Sequence, residues 1–185
     1  MKNFIFFVGL LLFASASVAS EKDLKEFIWT NKVNFHKSSS KTISPVIESL
    51  LELKSVGTEK FLSRWLKKEL WFRKSDGLVV IAKKLEKKSY QIFDVVDEQL
   101  IEVIDKKKIK QIKPNSGVRA IISSALVQFQ LLNADPIIRS KTLDSIARKP
   151  DEKFRMPLRK AIEIENNLTI KNRMILSLIH ISEPT

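Results

Sequence analysis

Cysteine is absent from this 185-residue sequence. Its absence excludes disulfides, a thiolate nucleophile, cysteine-ligated zinc and iron–sulfur clusters. Histidine occurs only at His36 and His180, so a Ser-His-Asp triad or a histidine metal site has almost nothing to build on. Glycine is scarce, at 4 residues, which leaves little room for a Gly-rich phosphate loop. Arginine is thin as well, 8 Arg against 25 Lys. Nucleic-acid readers lean on Arg for bidentate contacts. The lysine excess instead reads as a solvated surface, or as weak attraction to anionic lipid headgroups. After the first twenty residues no apolar run approaches 18 residues, so nothing there reads as a membrane span. No enzyme activity, cofactor, metal site or nucleic-acid partner is expected.

What is present suits a folded domain: 44% hydrophobic residues, 29% charged residues and a net charge of +12. The start has the order of a secretory leader. Lys2 gives a positive n-region, Phe4 to Phe13 an apolar core, and Ser17 and Ala19 the small residues of a cleavage site. Residues 1–19 are therefore read as a signal peptide, and residues 20–175 as an exported domain. Residues 176–185, Leu-Ser-Leu-Ile-His-Ile-Ser-Glu-Pro-Thr, resemble the translation of a transposon-end sequencing adapter. That tail is expected to be non-native, with the natural protein continuing past about residue 175. His36 then remains as the single native histidine, expected in a polar, exposed linker.

Helical periodicity comes in pairs. Glu21 to Phe35 carries Leu24, Phe27 and Ile28 on one face. Ser44 as cap and Pro45 at the first helical position open a stripe of Val46, Ile47, Leu50 and Leu51. Thr58 opens another, Phe61, Leu62, Trp65, Leu66 and Leu70. The pattern then changes. Leu70-Trp71-Phe72-Arg73-Lys74 and Leu78-Val79-Val80-Ile81-Ala82 read as strands joined by a turn at Ser75-Asp76-Gly77. Tyr90 to Phe93 and Leu100 to Ile104 read as two more strands. Asp94, Asp97 and Glu98 between them lack the spacing of a calcium loop. Asp105 to Lys110 reads as a short basic helical turn or loop.

Helices return after Pro114. Val118, Ile121, Ile122, Ala125, Leu126, Phe129 and Leu132 form the most regular stripe. Asp135 with Pro136 starts the next helix, and Pro157 marks the first turn of another. A faint repeat with a spacing of 32 aligns Asp135 with Asn167, Ile138 with Ile170, Arg139 with Lys171 and Leu143 with Ile175. It reads as a HEAT-like solenoid, with an ordinary bundle as the alternative. The expected fold is mainly α: antiparallel helix pairs with a small antiparallel β hairpin or meander inserted at about residues 70–104. That insertion is expected to be an excursion from a continuous helical core.

Residues 70–81, supported by Asn115-Ser116-Gly117-Val118-Arg119, Leu131 to Pro136 and Ile138-Arg139, resemble the N-terminal extracytoplasmic region of urea ABC transporter permease subunits, in the branched-chain amino acid permease family. Trp71-Phe72 replaces a more usual Tyr-containing pair, and Gly117 stands where that family tends to have a larger residue. The resemblance covers roughly residues 40–175. It implies an accessory domain at the periplasmic face of the bacterial inner membrane. The implied partners are a second permease subunit, ATPase subunits and a periplasmic solute-binding protein, with the translocation path in a part of the protein beyond these residues. The alternative is a free secreted helical-repeat interaction module. The candidate contact residues for a membrane or protein partner are Trp71, Phe72, Arg73, Lys74, Lys83, Lys84, Lys87 and Lys88. The two aromatics would serve equally to cover the helix pair.

Overall fold

The computed structural model describes residues 21–182. The leader assigned to residues 1–19 lies outside the described residues. The described chain is mainly helical with one small antiparallel five-stranded sheet. It divides after Val118 into two compact units.

The first unit opens with four helices: α1 (21–30), α2 (Lys32–His36), α3 (Ser40–Glu52) and α4 (Gly57–Leu66). Helix α3 begins earlier than Ser44-Pro45 suggested. The Ser39 side chain accepts from the Thr42 N–H at 3.3 Å, and the Thr42 hydroxyl accepts from the Ser39 N–H at 3.2 Å. This reciprocal box satisfies two orphan donors, so the helix starts there and Pro45 lies inside it. Phe35, Phe61 and Trp65 form the aromatic centre of these helices, with ring centroids of Phe35 5.2 Å from Phe61 and 5.3 Å from Trp65, both edge-on.

The sheet follows as β1 (Leu70–Arg73), β2 (Val79–Lys84), β3 (Ser89–Asp94), β4 (Leu100–Asp105) and β5 (Ile109–Gln111). Its order is β4-β3-β2-β1-β5. Strand β5 was not read from the sequence, because three residues after a lysine run are too few for alternation to be detected. One face gathers Val80, Ile92, Ile104 and Ile109, with Trp71, Leu78, Ala82 and Tyr90 packed against them. The other face buries Leu70, Val79 and Ile81. Strand β2 is thus covered on both sides, which accounts for its unbroken apolar run.

The sheet must curl. Strands β4 and β5 are the two ends of the strand order, yet only the 3₁₀ turn Lys106–Lys108 joins them. In a flat sheet they would be about 19 Å apart. The four Cα steps from Asp105 to Ile109 reach at most about 15 Å, and less through a 3₁₀ turn.

The sheet is also tied to the helices before it. Lys25 of α1 pairs with Asp97 at 2.6 Å and Asp94 at 3.3 Å. Glu98 is held by Lys60 and by Arg64 of α4, the latter at 2.8 Å. The acidic β3–β4 turn is therefore neutralised by cations of the helices. The strand segment is part of its unit's core, not an excursion from it. Packing on both faces and the ion pairs of Lys25, Lys60 and Arg64 outweigh what a loose insertion would have.

Helix α5 (Ser116–Leu131) carries the unit boundary, and α6 (Pro136–Arg148), a 3₁₀ turn at Glu152–Phe154, α7 (Arg155–Ile164) and α8 (Leu168–Ser182) complete the second unit. Its core is Leu131, Leu143, Ile146, Leu158, Ala161, Ile170, Met174 and Ile181. Pro157 lies in the first turn of α7, as its fixed φ favours. Asp135 caps α6 through the Ile137 N–H at 2.8 Å, and Asn167 caps α8 through the Ile170 N–H at 3.2 Å. The other aligned positions do not behave alike. Ile138 is 37% exposed where Ile170 is 5%, and Leu143 is 1% where Ile175 is 38%. Helix α8 runs without a break through residue 175 to Ser182, and Ile181 sits in the same core as Met174.

Candidate docking surface of the sheet

The eight candidate residues separate into four environments. Trp71 points to the concave face of the sheet, beside Val80 in register and 5.4 Å from the ring of Tyr90. It is core, half-buried. Phe72, on the opposite face, stacks on His36 of α2 with ring centroids 4.0 Å apart. His36 is therefore not an exposed linker residue. It ends a helix and covers the hairpin, with its Nε2 atom buried and unpartnered. Burial lowers its pKa, Lys32 and Lys37 lower it further, and a hydrogen bond with the Gly77 backbone opposes them.

Arg73 is committed as well. Its Nε and Nη2 meet Asp76 at 3.1 and 2.6 Å, and its Nη1 meets Glu102 at 2.5 Å. The Asp76 hydrogen bonds raise the Arg73 pKa above its already high ordinary value, and Arg73 in turn holds the Asp76 carboxyl low. Asp76 also accepts from the Leu78 N–H at 3.1 Å, which sets the turn. Gly77 has φ +78°, and a Cβ there would lie 3.0 Å from Cε1 of His36. Both facts favour glycine. Gly117, against the larger residue usual in the resembled family, faces Ser40: an added Cβ would lie 3.0 Å from that residue's own Cβ.

The remaining lysines are exposed. Lys83 lies on the convex face with its Nζ 4.9 Å from the Phe93 ring centre. Lys84, Lys87 and Lys88 surround the β2–β3 turn, closed by the Leu85 and Glu86 N–H groups donating to the Ser89 carbonyl at 3.0 and 3.2 Å. Leu85 stands in that turn 52% exposed.

Sequence reading missed one part of this surface. The Lys106 N–H donates to the Lys88 carbonyl at 2.8 Å, and the Lys74 N–H donates to the Lys108 carbonyl at 2.8 Å. The 3₁₀ turn, capped by Asp105 through the Lys107 N–H at 2.7 Å, therefore joins the β2–β3 turn to the end of β1. Lys74, Lys84, Lys87, Lys88, Lys106, Lys107 and Lys108 form one basic surface, with Glu86 and Asp105 as its carboxylates. Among the described residues none of these lysines is ion-paired. The Lys106-Lys107-Lys108 run was visible in the sequence. Its link to Lys88, 18 positions earlier, is a tertiary fact.

Chemically, this surface can attract and hold an anion-rich partner. Fixed backbone positions, mobile ammonium groups and one apolar side chain give it charge and little stereochemical selectivity. No family model, curated protein or solved structure matches the chain.

Proposed function

We propose that this chain is the accessory extracytoplasmic domain of a urea or amide ABC transporter permease subunit of the branched-chain amino acid type. The observation that supports this reading is the place of the resembling segment. Leu70 to Ile81 is the β1–β2 hairpin, in which Arg73, Asp76 and Gly77 each have a structural task. The domain acts by docking and not by chemistry. Its partners are a second permease subunit, ATPase subunits and a periplasmic solute-binding protein, and solute crosses through another part of the protein. The helices α5–α8 are read as HEAT-like pairs. The matched caps at Asp135 and Asn167 support that arrangement, while the unequal burial of Ile138 and Ile170 counts against it.

The test is the uninterrupted gene and the complex it encodes. Several apolar segments of about 20 residues soon after residue 175, and co-purification of the tagged product with ATPase subunits, are expected. A stop codon there, with the product recovered alone outside the cytoplasm, overturns the reading in favour of a secreted interaction module.

A further inference from the structure

We propose that the β2–β3 turn and the 3₁₀ turn Lys106–Lys108 seat this domain on an anionic bilayer surface. This deepens the reading above, since it assumes an exported chain that works at a membrane.

Three observations carry it. The first is charge density: seven lysines from three separate chain segments are brought together by the Lys106–Lys88 and Lys74–Lys108 backbone bonds, against two carboxylates. The second is that these lysines have no carboxylate partner among the described residues, whereas Arg73, Lys25, Lys60 and Arg64 in the same unit are all paired. Lysines elsewhere in the unit, such as Lys41, Lys54 and Lys67, are also without a salt bridge among the described residues, so it is the gathering of these seven by the two backbone links that marks the surface. The third is Leu85, an exposed aliphatic side chain at the start of the β2–β3 turn, with Lys83-Lys84 before it and Glu86-Lys87-Lys88 after it. An apolar side chain among lysines fits the boundary between headgroups and acyl chains, where the side chain enters and the ammonium groups stay at phosphate level.

The same chemistry disfavours the other polyanions. Nucleic-acid surfaces use Arg forks and exposed aromatics for stacking, and this surface has neither: Arg73 is sequestered and Trp71 is core. Anchors for a specific acidic protein are usually aromatic or Arg, not a ring of flexible lysines.

The experiment is co-sedimentation of the chain from Ser20 onward, the form that leader cleavage leaves. The vesicles are phosphatidylcholine with about 30 mol% phosphatidylglycerol, at roughly 0.1 M salt. Two triple variants remove the same charge from different places: Lys88→Gln, Lys106→Gln, Lys107→Gln, and Lys141→Gln, Lys149→Gln, Lys160→Gln. The first should weaken binding about tenfold or more, and the second by less than about twofold. Leu85→Gln should weaken binding by about threefold, a loss that persists when salt is raised. Thermal melts confirm that each variant is folded. Equal loss in both triples means net charge alone, and overturns the proposal. So does absence of vesicle binding by the unsubstituted chain, or tighter binding to single-stranded oligonucleotide than to vesicles. Any of these three leaves the transporter reading standing if the chain still co-purifies with ATPase subunits. Vesicle binding by a chain whose gene stops after residue 175 separates the two the other way.

Discussion

Arg73 and Glu102 are ion-paired at 2.5 Å although their strands, β1 and β4, stand three places apart in hydrogen-bonding order. Both side chains lie on the concave face, and the curl of the sheet brings them together. Arg73 also grips Asp76 with two nitrogens, so one guanidinium ties the β1–β2 turn to the sheet's far edge. Arg73→Met should cost about 2 kcal/mol in denaturant unfolding. Arg73→Lys should recover roughly half at most, because an ammonium lacks the planar fork that holds Asp76 with two nitrogens while a third meets Glu102. The Asp76 carboxyl is held low, so this contribution is present above its ordinary pKa of 3.8 and is lost as pH falls below it. A loss under about 0.5 kcal/mol for Arg73→Met would show that the bridge is ornamental.

The His36–Phe72 stack predicts a second pH dependence. Folding lowers the His36 pKa, so the unfolded chain takes up a proton first. Stability is therefore full above the ordinary histidine value near 6.5 and declines as pH falls below it. His36→Phe keeps the stack and should flatten the stability profile between about pH 7 and 5. An NMR titration that places the folded His36 above 6.5 contradicts this outright.

In the second unit, Arg139 meets Glu165 at 2.7 and 3.2 Å and also donates to the carbonyls of Asn133 and Ala134. The Glu165 side chain is 4% exposed. Burial pushes its pKa up, but the Asn167 N–H and Arg139 together outweigh burial and hold it low. Arg139→Met strands that carboxylate and should destabilise by about 3 kcal/mol at neutral pH. The deficit should shrink as pH drops through the raised pKa that Glu165 then has. Arg139→Met with Glu165→Gln should be milder than Arg139→Met alone, and a double-mutant cycle measures the difference.

Joining Lys68 to Pro114 through a short linker removes the sheet. The buried outer residues Leu70, Val79 and Ile81 predict that α1–α4 then lose cooperative unfolding and bind a hydrophobic dye. A cooperative, dye-free melt would mean that those helices close their core without the sheet.

Element type was legible where a period was long or a turn chemical. The α5 stripe, the Asp76-Gly77 turn and the caps at Asp135 and Asn167 could all be read from residue order. Facing was harder. Within α5, Val118, Ile122 and Ala125 are buried as the stripe required, but Leu126 is only half-buried and Leu131 replaces Leu132 inside. Ile122→Ala should therefore cost about 2–5 kcal/mol and Leu126→Ala distinctly less, the order being checked by chemical denaturation. The candidate surface was half legible. Lysines near one turn can be counted in sequence, but nothing local told Arg73, already paired, from Lys88, still free. Nor could sequence place Lys106–Lys108 beside them, because a 3₁₀ crossing between sheet edges depends on curl.

That crossing also sets the order in which the sheet can assemble. Pairings β1–β2, β2–β3 and β3–β4 close through short turns, whereas β5 meets β1 at Trp71 and Gln111, roughly 40 residues apart. Hairpins form in microseconds, while the β1–β5 contact must wait until the meander exists to bend the chain back. Ile109 then docks last, into a pocket that the other strands have already built. A weakened Ile109 should speed unfolding far more than it slows folding.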